Sequence, residues 1–273
     1  MMSLLNEIKE AYNFIKSKTK YKPTIGLILG TGLGSIAEQI EDAEFYPYSN
    51  IPNFPIPSVD GHEGTLIIGK LHGKEVVAMK GRCHYYEGHS MQKITLPVRV
   101  MKLLGVETMI VTNCAGQANP SILPGDLVLI KNHLNLSGNN PLIGSNLDEF
   151  GPRFPDLSHP YDKDLINHIK EISNKLNIDL KEGVYAMFSG PNYETSAETL
   201  MAASLGADTV GMSTVPEVII ANHCGIKVVG FSGVPCMASA FSDDVLSHEE
   251  VLEAFESIAQ KCTLIVNTLI KEI

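Results

Sequence analysis

The sequence predicts an α/β protein, because short apolar runs with strand character alternate with longer segments of helical periodicity. The clearest runs are Thr24-Ile-Gly-Leu-Ile-Leu29, Glu75-Val-Val-Ala-Met-Lys80 and Thr108-Met-Ile-Val-Thr-Asn113. The clearest helix is the last, where Val251, Leu252, Phe255, Ile258, Ala259, Cys262, Ile265, Val266 and Leu269 form one apolar stripe. With 273 residues, 44% of them hydrophobic, the chain can bury a substantial core. No Gly/Ser/Pro-rich linker, charge block or repeat divides it, so one domain over residues 1–273 is expected.

Taken in order, Leu4, Leu5, Ile8, Tyr12 and Ile15 give a first helix that ends before Pro23. The strand from Thr24 runs into Gly30-Thr-Gly-Leu-Gly34 and a helix from Ser35 to Ile40. Strand, glycine turn and helix present backbone N–H groups to an anion, although such turns also serve as plain tight connections. A dinucleotide fingerprint fits less well, since the spacing is GxGxG and no acidic residue closes a second strand at the expected distance. Residues 46–64 read as a long loop carrying His62, which by itself is as consistent with an ordinary surface histidine.

Gly81-Arg-Cys-His-Tyr-Tyr-Glu-Gly88 follows the Glu75 strand. If the segment stays extended, Arg82, His84 and Tyr86 share one face, joining a cationic fork, an imidazole and an aromatic ring with a polar tip. That set suits a phosphate with something flat or sugar-like beside it; an exposed strand end with solvated polar groups is the plainer alternative. A helix over roughly 91–104 contains Pro97, which predicts a kink or a late start. The strand from Thr108 ends in Cys114-Ala-Gly116, small enough for a ligand to approach the backbone.

A strand follows over 126–131, then an irregular stretch over 132–161, a helix over 164–176 and a strand over 184–189. Three later junctions carry a capping-box pattern: Thr195 with Glu198, Thr214 with Glu217, and Ser247 with Glu250. They place Glu194, Met212, Ser213 and His248 where strands hand over to helices, which is where ligands gather in open α/β sheets. Each has a plainer role as well: Glu194 as a dipole-favoured carboxylate, Met212 as core, His248 as a solvated first-turn residue.

The formal net charge of −10 argues against nucleic acid or an anionic membrane as partner. It also means that a phosphate site needs local donors such as Arg82. The five cysteines are odd in number, widely spaced and without a CxxC pair, which disfavours a disulfide framework or structural zinc and fits a reducing cytoplasm. The first ten residues read as the start of an amphipathic helix rather than a signal peptide, and no run is apolar enough to span a bilayer.

Gly30-Thr-Gly-Leu-Gly34, Gly81-Arg-Cys-His-Tyr-Tyr-Glu-Gly88, Val111-Thr-Asn-Cys-Ala-Gly116, Gly190-Pro-Asn-Tyr-Glu-Thr195 and Gly211-Met-Ser-Thr-Val-Pro-Glu-Val218 together resemble the trimeric purine nucleoside phosphorylases, a family that includes methylthioadenosine phosphorylases. The likeness runs in order from about residue 24 to the C-terminus. It implies a central mixed β-sheet flanked by helices, a homotrimer with sites near subunit interfaces, and reversible phosphorolysis of purine nucleosides without a cofactor. By position, it assigns phosphate to Thr31, Arg82, His84, the backbone N–H of Cys114 and Ser213, with His62 nearby. Tyr86, Met212 and His248 would hold the ribose, and Phe154 would cover the sugar of a neighbouring subunit. Tyr193 and Glu194 would hold the purine beside Ala115, Gly116 and Cys236, with Glu194, His84 and Cys236 closest to the chemistry.

The chain departs from the family at Pro235-Cys236, where Thr-Asn is common and methylthioadenosine-type members carry Asp. A thiol is a weak donor, so the asparagine amide that meets the purine around N7 and O6 has no equivalent. A water or another residue such as Ser239 replaces it, or the range of purines differs, or leaving-group stabilisation is reduced. A methylthioadenosine or methylthioinosine phosphorylase therefore stays open, as does a nucleoside-binding homologue without turnover.

Overall fold

The computed structural model describes residues 3–30, 33–59, 62–237 and 255–273. Thr31, Ser239, His248 and the third capping-box pattern lie outside the described residues, as does the start of the last helix's apolar stripe. Among the described residues the strands are β1 (Ile25–Leu29), β2 (Glu41–Pro47), β3 (Thr65–Leu71), β4 (Lys74–Lys80), β5 (Thr108–Gln117), β6 (Asp126–Asn135), β7 (Leu180–Met187), β8 (Thr209–Gly211) and β9 (Lys227–Met237). They form one mixed sheet in the order β2-β3-β4-β1-β5-β8-β7-β6-β9. β5 also pairs with β9 in parallel, so β5, β8, β7, β6 and β9 close on themselves as a ring. The expected α/β class, with a mixed sheet flanked by helices, is what the structure has.

β1 reads as an uninterrupted apolar run because it lies between β4 and β5, parallel to both, with all five residues buried. β2 escaped the sequence pattern: it is an edge strand, Glu41-Asp-Ala-Glu-Phe-Tyr-Pro47, mostly exposed, so apolar alternation is weak. With β2 and β3 in place, the loop expected over 46–64 begins only after Pro47. β5 and β6 run several residues past the apolar segments that predict them, because the ring supplies partners for their polar ends.

The helices are α1 (Leu4–Lys16), α2 (Gly34–Ala37), α3 (Met91–Ile94), α4 (Leu96–Leu104), α5 (Lys163–Lys175), α6 (Ser196–Ser204), α7 (Val215–His223) and α8 (Glu256–Glu272). The break expected from Pro97 falls at Thr95, and the proline occupies the first turn of α4, where its missing N–H is harmless. α8 turns Ile258, Ala259, Cys262, Ile265, Val266, Leu269 and Ile270 into the core. α6 begins with the predicted reciprocal cap: Glu198 N–H donates to the Thr195 hydroxyl oxygen (3.2 Å), and Thr195 N–H to the Glu198 carboxylate (2.8 Å).

The cap predicted for α7 does not form. Thr214 precedes the helix with φ +75° and ψ −50° and makes no side-chain cap. The Val215 N–H donates to the Ser213 carbonyl (2.8 Å), closing a γ-turn of the rare, strained kind around a β-branched residue. Glu217 is therefore released from capping, and its carboxylate lies elsewhere.

Candidate active site

β1, β4, β5 and β9 run parallel, so Gly30, Gly81, Cys114 and Cys236 come to the same end of the sheet. The β7–α6 and β8–α7 connections add Gly190 to Glu194 and Met212 to Thr214.

Arg82 is the anchor, 2% exposed. Its Nη1 donates to Thr214 Oγ1 and Glu217 Oε1, both at 3.3 Å, and its Nη2 donates to the Thr112 carbonyl. Gly30 makes room for this: a Cβ there would lie 2.6 Å from the Thr112 carbonyl oxygen and 3.0 Å from Arg82 Nη2. The first glycine of the turn is thus needed for side-chain approach across the sheet, whatever binds at the turn itself.

The extended reading of the octapeptide needs correction. β4 stops at Lys80, and residues 85–87 form a single 3₁₀ turn. Arg82 points inward, whereas His84 and Tyr86 come together because the turn stacks their rings, 4.8 Å apart and 10° from parallel. His62, expected on a surface loop, is instead 8% exposed. Its Nδ1 accepts from Arg82 N–H (3.0 Å), and its ring meets His84 edge-on at 4.9 Å. In its neutral form His62 therefore carries its proton on Nε2.

His84 is oriented by Glu87, whose Oε1 accepts the His84 backbone N–H (2.6 Å) and lies 3.2 Å from His84 Nδ1. Burial pushes the Glu87 carboxyl up, but hydrogen bonds from His84 and from the Ser58 N–H and hydroxyl outweigh it and hold the group at about 2. A carboxylate is acceptor-only, so His84 Nδ1 bears a proton and Nε2 is the nitrogen left for a ligand.

Ser213 is 9% exposed; its N–H donates to Tyr185 Oη (3.1 Å), and its Oγ lies 3.2 Å from Thr214 Oγ1. Thr214 Oγ1 also accepts from Asn113 Nδ2 (2.8 Å), tying the start of α7 to the middle of β5. Tyr86 and Met212 converge at Gly190, where φ is +67° and a Cβ would fall 2.6 Å from Met212 Sδ and 2.9 Å from Tyr86 Cδ1. Only glycine fits there. Burial and the nearby Glu87 push the Tyr86 phenol up to about 12.

The remaining group is flatter and less polar. Glu194 is 9% exposed, and burial raises its carboxyl above the ordinary range. Cys236 on β9 is level with Gly116 on β5, with Cys114 and the buried Ala115 just before it. Burial, then the field of Glu194, pushes the Cys236 thiol up to about 11, so it stays protonated at neutral pH. Burial also raises the Cys114 thiol, with Cys236 adding to it. Tyr193, 46% exposed, lies within the fields of Cys236, Cys114 and Glu194. The described cysteines are all free.

The structure thus gathers His62, Arg82, His84, Tyr86, Cys114, Ala115, Gly116, Tyr193, Glu194, Met212, Ser213 and Cys236 around one sheet end. Phe154 stands apart, 87% exposed, with the Arg153 guanidinium 5.7 Å over its ring. Sequence reasoning missed Glu87, Thr112, Asn113, Tyr185 and Glu217. Glu87 had a signal, standing three residues after His84 in the same octapeptide. The others become visible only when β5, β7 and α7 are brought together. Among the described residues, no group of three or more His, Cys, Asp or Glu side chains is placed to hold a metal ion.

A sheet end that presents a buried guanidinium and hydroxyl beside a stacked imidazole, and then a carboxylate among thiols, fits the phosphorylase class. The model of the Phosphorylase superfamily matches residues 24–271. Purine nucleoside phosphorylase 1 of Bacillus subtilis is 48% identical over 267 residues, covering 98% of both chains. The purine nucleoside phosphorylase of Bos taurus is 44% identical over 274 residues, covering 98% of this chain and 95% of its own. Among solved structures, isoform 2 of the Schistosoma mansoni purine nucleoside phosphorylase, in complex with cytosine and ribose-1-phosphate, superposes with a TM-score of 0.93 at 46% identity, covering 98% and 96% of the two chains. A Schistosoma mansoni purine nucleoside phosphorylase in complex with inosine gives 0.94 at 42% identity, covering 100% and 98%. The chain belongs to the purine nucleoside phosphorylase family.

Proposed function

We propose that this protein catalyses the reversible phosphorolysis of purine nucleosides to free base and ribose 1-phosphate. The observation that carries the reading is the succession of neighbouring groups at the sheet end. Arg82 meets Thr214, the neighbour of Ser213; His84 stacks on Tyr86; Tyr86 and Met212 meet at Gly190; and Tyr193 is close to Tyr86 on one hand and to Glu194 and Cys236 on the other. That succession supports phosphate beside Arg82, Ser213 and His84, sugar beside Tyr86 and Met212, and base beside Tyr193, Glu194 and Cys236.

In the reaction a phosphate oxygen bonds to C1′ while the C1′–N9 bond breaks. The electron pair leaves with the purine, which takes up the proton that the phosphate gives up on forming the ester, directly or by way of solvent. The sugar gains positive charge in the transition state, and a phosphate fixed beneath it acts as nucleophile and counter-charge, so positioning and electrostatics supply most of the acceleration. Glu194 accepts from the N1–H side of the purine and orients it. Thr31 and His248 are assigned to phosphate and to the sugar's 5′ end by family resemblance. The chemistry calls for inorganic phosphate as co-substrate and for no metal or organic cofactor.

Cys236 supports a base preference different from that of a strict inosine and guanosine enzyme, since a neutral thiol neither accepts nor donates as an amide does. Phe154, exposed on the single chain, supports a homotrimer in which it covers a neighbour's sugar. Among the described residues no helix is long and apolar enough to cross a membrane, and we place the enzyme in the cytoplasm. Phosphate-dependent release of free base, measured across inosine, guanosine, xanthosine, adenosine and methylthioadenosine, tests the reading. Release without phosphate, or a thermal shift with nucleoside and no turnover, would replace it with a hydrolase or a binding protein.

A further inference from the structure

The hydroxyl of Thr214 sits where its hydrogen bonds can be counted. Asn113 Nδ2 and Arg82 Nη1 both donate to Thr214 Oγ1, at 2.8 and 3.3 Å, and neither nitrogen can accept. A hydroxyl oxygen has two lone pairs and one proton. With both lone pairs engaged, the proton goes to the remaining neighbour, Ser213 Oγ, at 3.2 Å. Ser213 Oγ therefore accepts from Thr214, and its own proton must point away from it.

We propose that Thr214 is a positioning residue which commits the Ser213 hydroxyl to donating, and so presets it to grip an acceptor-only anion oxygen. The inference rests on the phosphorolysis reading given above. Two acceptors compete for the Ser213 proton. One is Tyr185 Oη, which already accepts the Ser213 N–H; burial raises that phenol's proton affinity, and contact with the Ser213 hydroxyl only partly offsets the rise. The other is the incoming phosphate. A charge-assisted hydrogen bond is roughly twice as strong as a neutral one, so the anion takes the proton contact when it arrives.

The backbone carries the same reading. Thr214 is fully buried and held at φ +75° in a γ-turn, a conformation that a β-branched residue adopts only when its surroundings enforce it. Glycine would relieve that strain but has no hydroxyl to route the proton. Arg82 does not depend on Thr214 alone, since Glu217 and the Thr112 carbonyl also hold it. Loss of the Thr214 hydroxyl therefore leaves Arg82 held, takes the acceptor from buried Asn113 Nδ2 at a cost to stability, and reaches phosphate through Ser213.

The test is a set of variants read by phosphate KM, nucleoside KM and kcat, together with phosphate binding measured calorimetrically without nucleoside. Thr214→Val keeps branching and volume but removes the hydroxyl. It should raise the phosphate KM and dissociation constant by about threefold to tenfold, the worth of the neutral hydrogen bond that orients Ser213, whose own hydroxyl is still there to donate. The nucleoside KM should stay within about twofold, and Thr214→Ser should restore phosphate binding, since it keeps only the hydroxyl. In a Ser213→Ala background Thr214→Val should add little to the loss of phosphate binding, because Thr214 reaches phosphate only through the Ser213 hydroxyl. A wild-type phosphate affinity in Thr214→Val, or full additivity with Ser213→Ala, overturns the inference. Thr214→Ala serves for the same comparison if the valine variant does not fold. If the wild-type protein binds phosphate but releases no base, the phosphorolysis reading falls, while the calorimetric series still decides the role of Thr214.

Discussion

Removing the Glu217 carboxylate should destabilise the protein more than almost any other single side-chain change at the site. The Arg82–Glu217 pair is 3.3 Å apart, and the two side chains are 2% and 6% exposed. At that separation the Coulomb attraction is about 5 kcal/mol for an effective dielectric constant near 20. Most of this only offsets the desolvation of the two charges, so the intact pair adds little net stability. Glu217→Ala is different, because it leaves a buried guanidinium without its counter-charge, a change that typically costs about 3–5 kcal/mol. Arg82 keeps the Thr214 hydroxyl and the Thr112 carbonyl as acceptors, which favours the lower end, near ~3 kcal/mol. For a chain of this size that corresponds to a fall in Tm of roughly 5 °C.

Phosphate sharpens the test. An anion bound beside Arg82 would replace the missing charge, so added phosphate should raise the Tm of Glu217→Ala by more than it raises that of the wild type. Replacing both partners with apolar side chains of similar volume, Arg82→Met with Glu217→Leu, should recover much of the lost stability while abolishing phosphate binding. Urea titration and calorimetry read both effects. A loss below about 1 kcal/mol in Glu217→Ala, or a double variant as unstable as the two single losses added, would show that the buried pair does not behave as a mutually compensating charge couple.

Three further expectations concern the rest of the site. Cys236→Asn should shift the ratio of kcat/KM values between 6-oxo and 6-amino purine nucleosides towards the 6-oxo group, by about tenfold or more if the amide donates in the transition state; an unchanged ratio removes Cys236 as a selectivity residue. Glu87 has a folded-state value near 2 against 4.5 when unperturbed, so its contribution to stability is complete above about pH 4.5 and is lost as pH falls towards 2. The difference in urea midpoint between wild type and Glu87→Gln should therefore shrink across that window, and a constant difference would refute the hydrogen-bonded carboxylate. The raised Glu194 carboxyl should set the acid limb of kcat/KM above the ordinary glutamate range, and Glu194→Gln should abolish that limb along with most of the activity; a limb that persists in the variant assigns it to another group.

The amino-acid sequence by itself determined the class of fold and the order of most elements, and it named many of the groups that line the sheet end, though not Glu87, Thr112, Asn113, Tyr185 or Glu217. Apolar runs such as Ile25–Leu29 and the stripe on α8 report burial directly, because a strand or helix face must be apolar to leave water. Short motifs carried the site, since Arg82, His84, Tyr86 and Glu87 stand within one octapeptide and Tyr193 and Glu194 beside one helix start.

Tertiary structure decided which of those side chains meet, and by what contacts. Thr214 and Glu217 match a capping box in sequence, yet the γ-turn frees them to hold Arg82, a residue more than a hundred positions away. Edge strand β2 and the burial of His62 were equally hidden, because an edge needs little apolar patterning and a histidine's surroundings are set by what folds over it. Local patterning records how much of each element is buried. The partners that satisfy a buried charge or hydroxyl come from distant strands, and no local spacing encodes them.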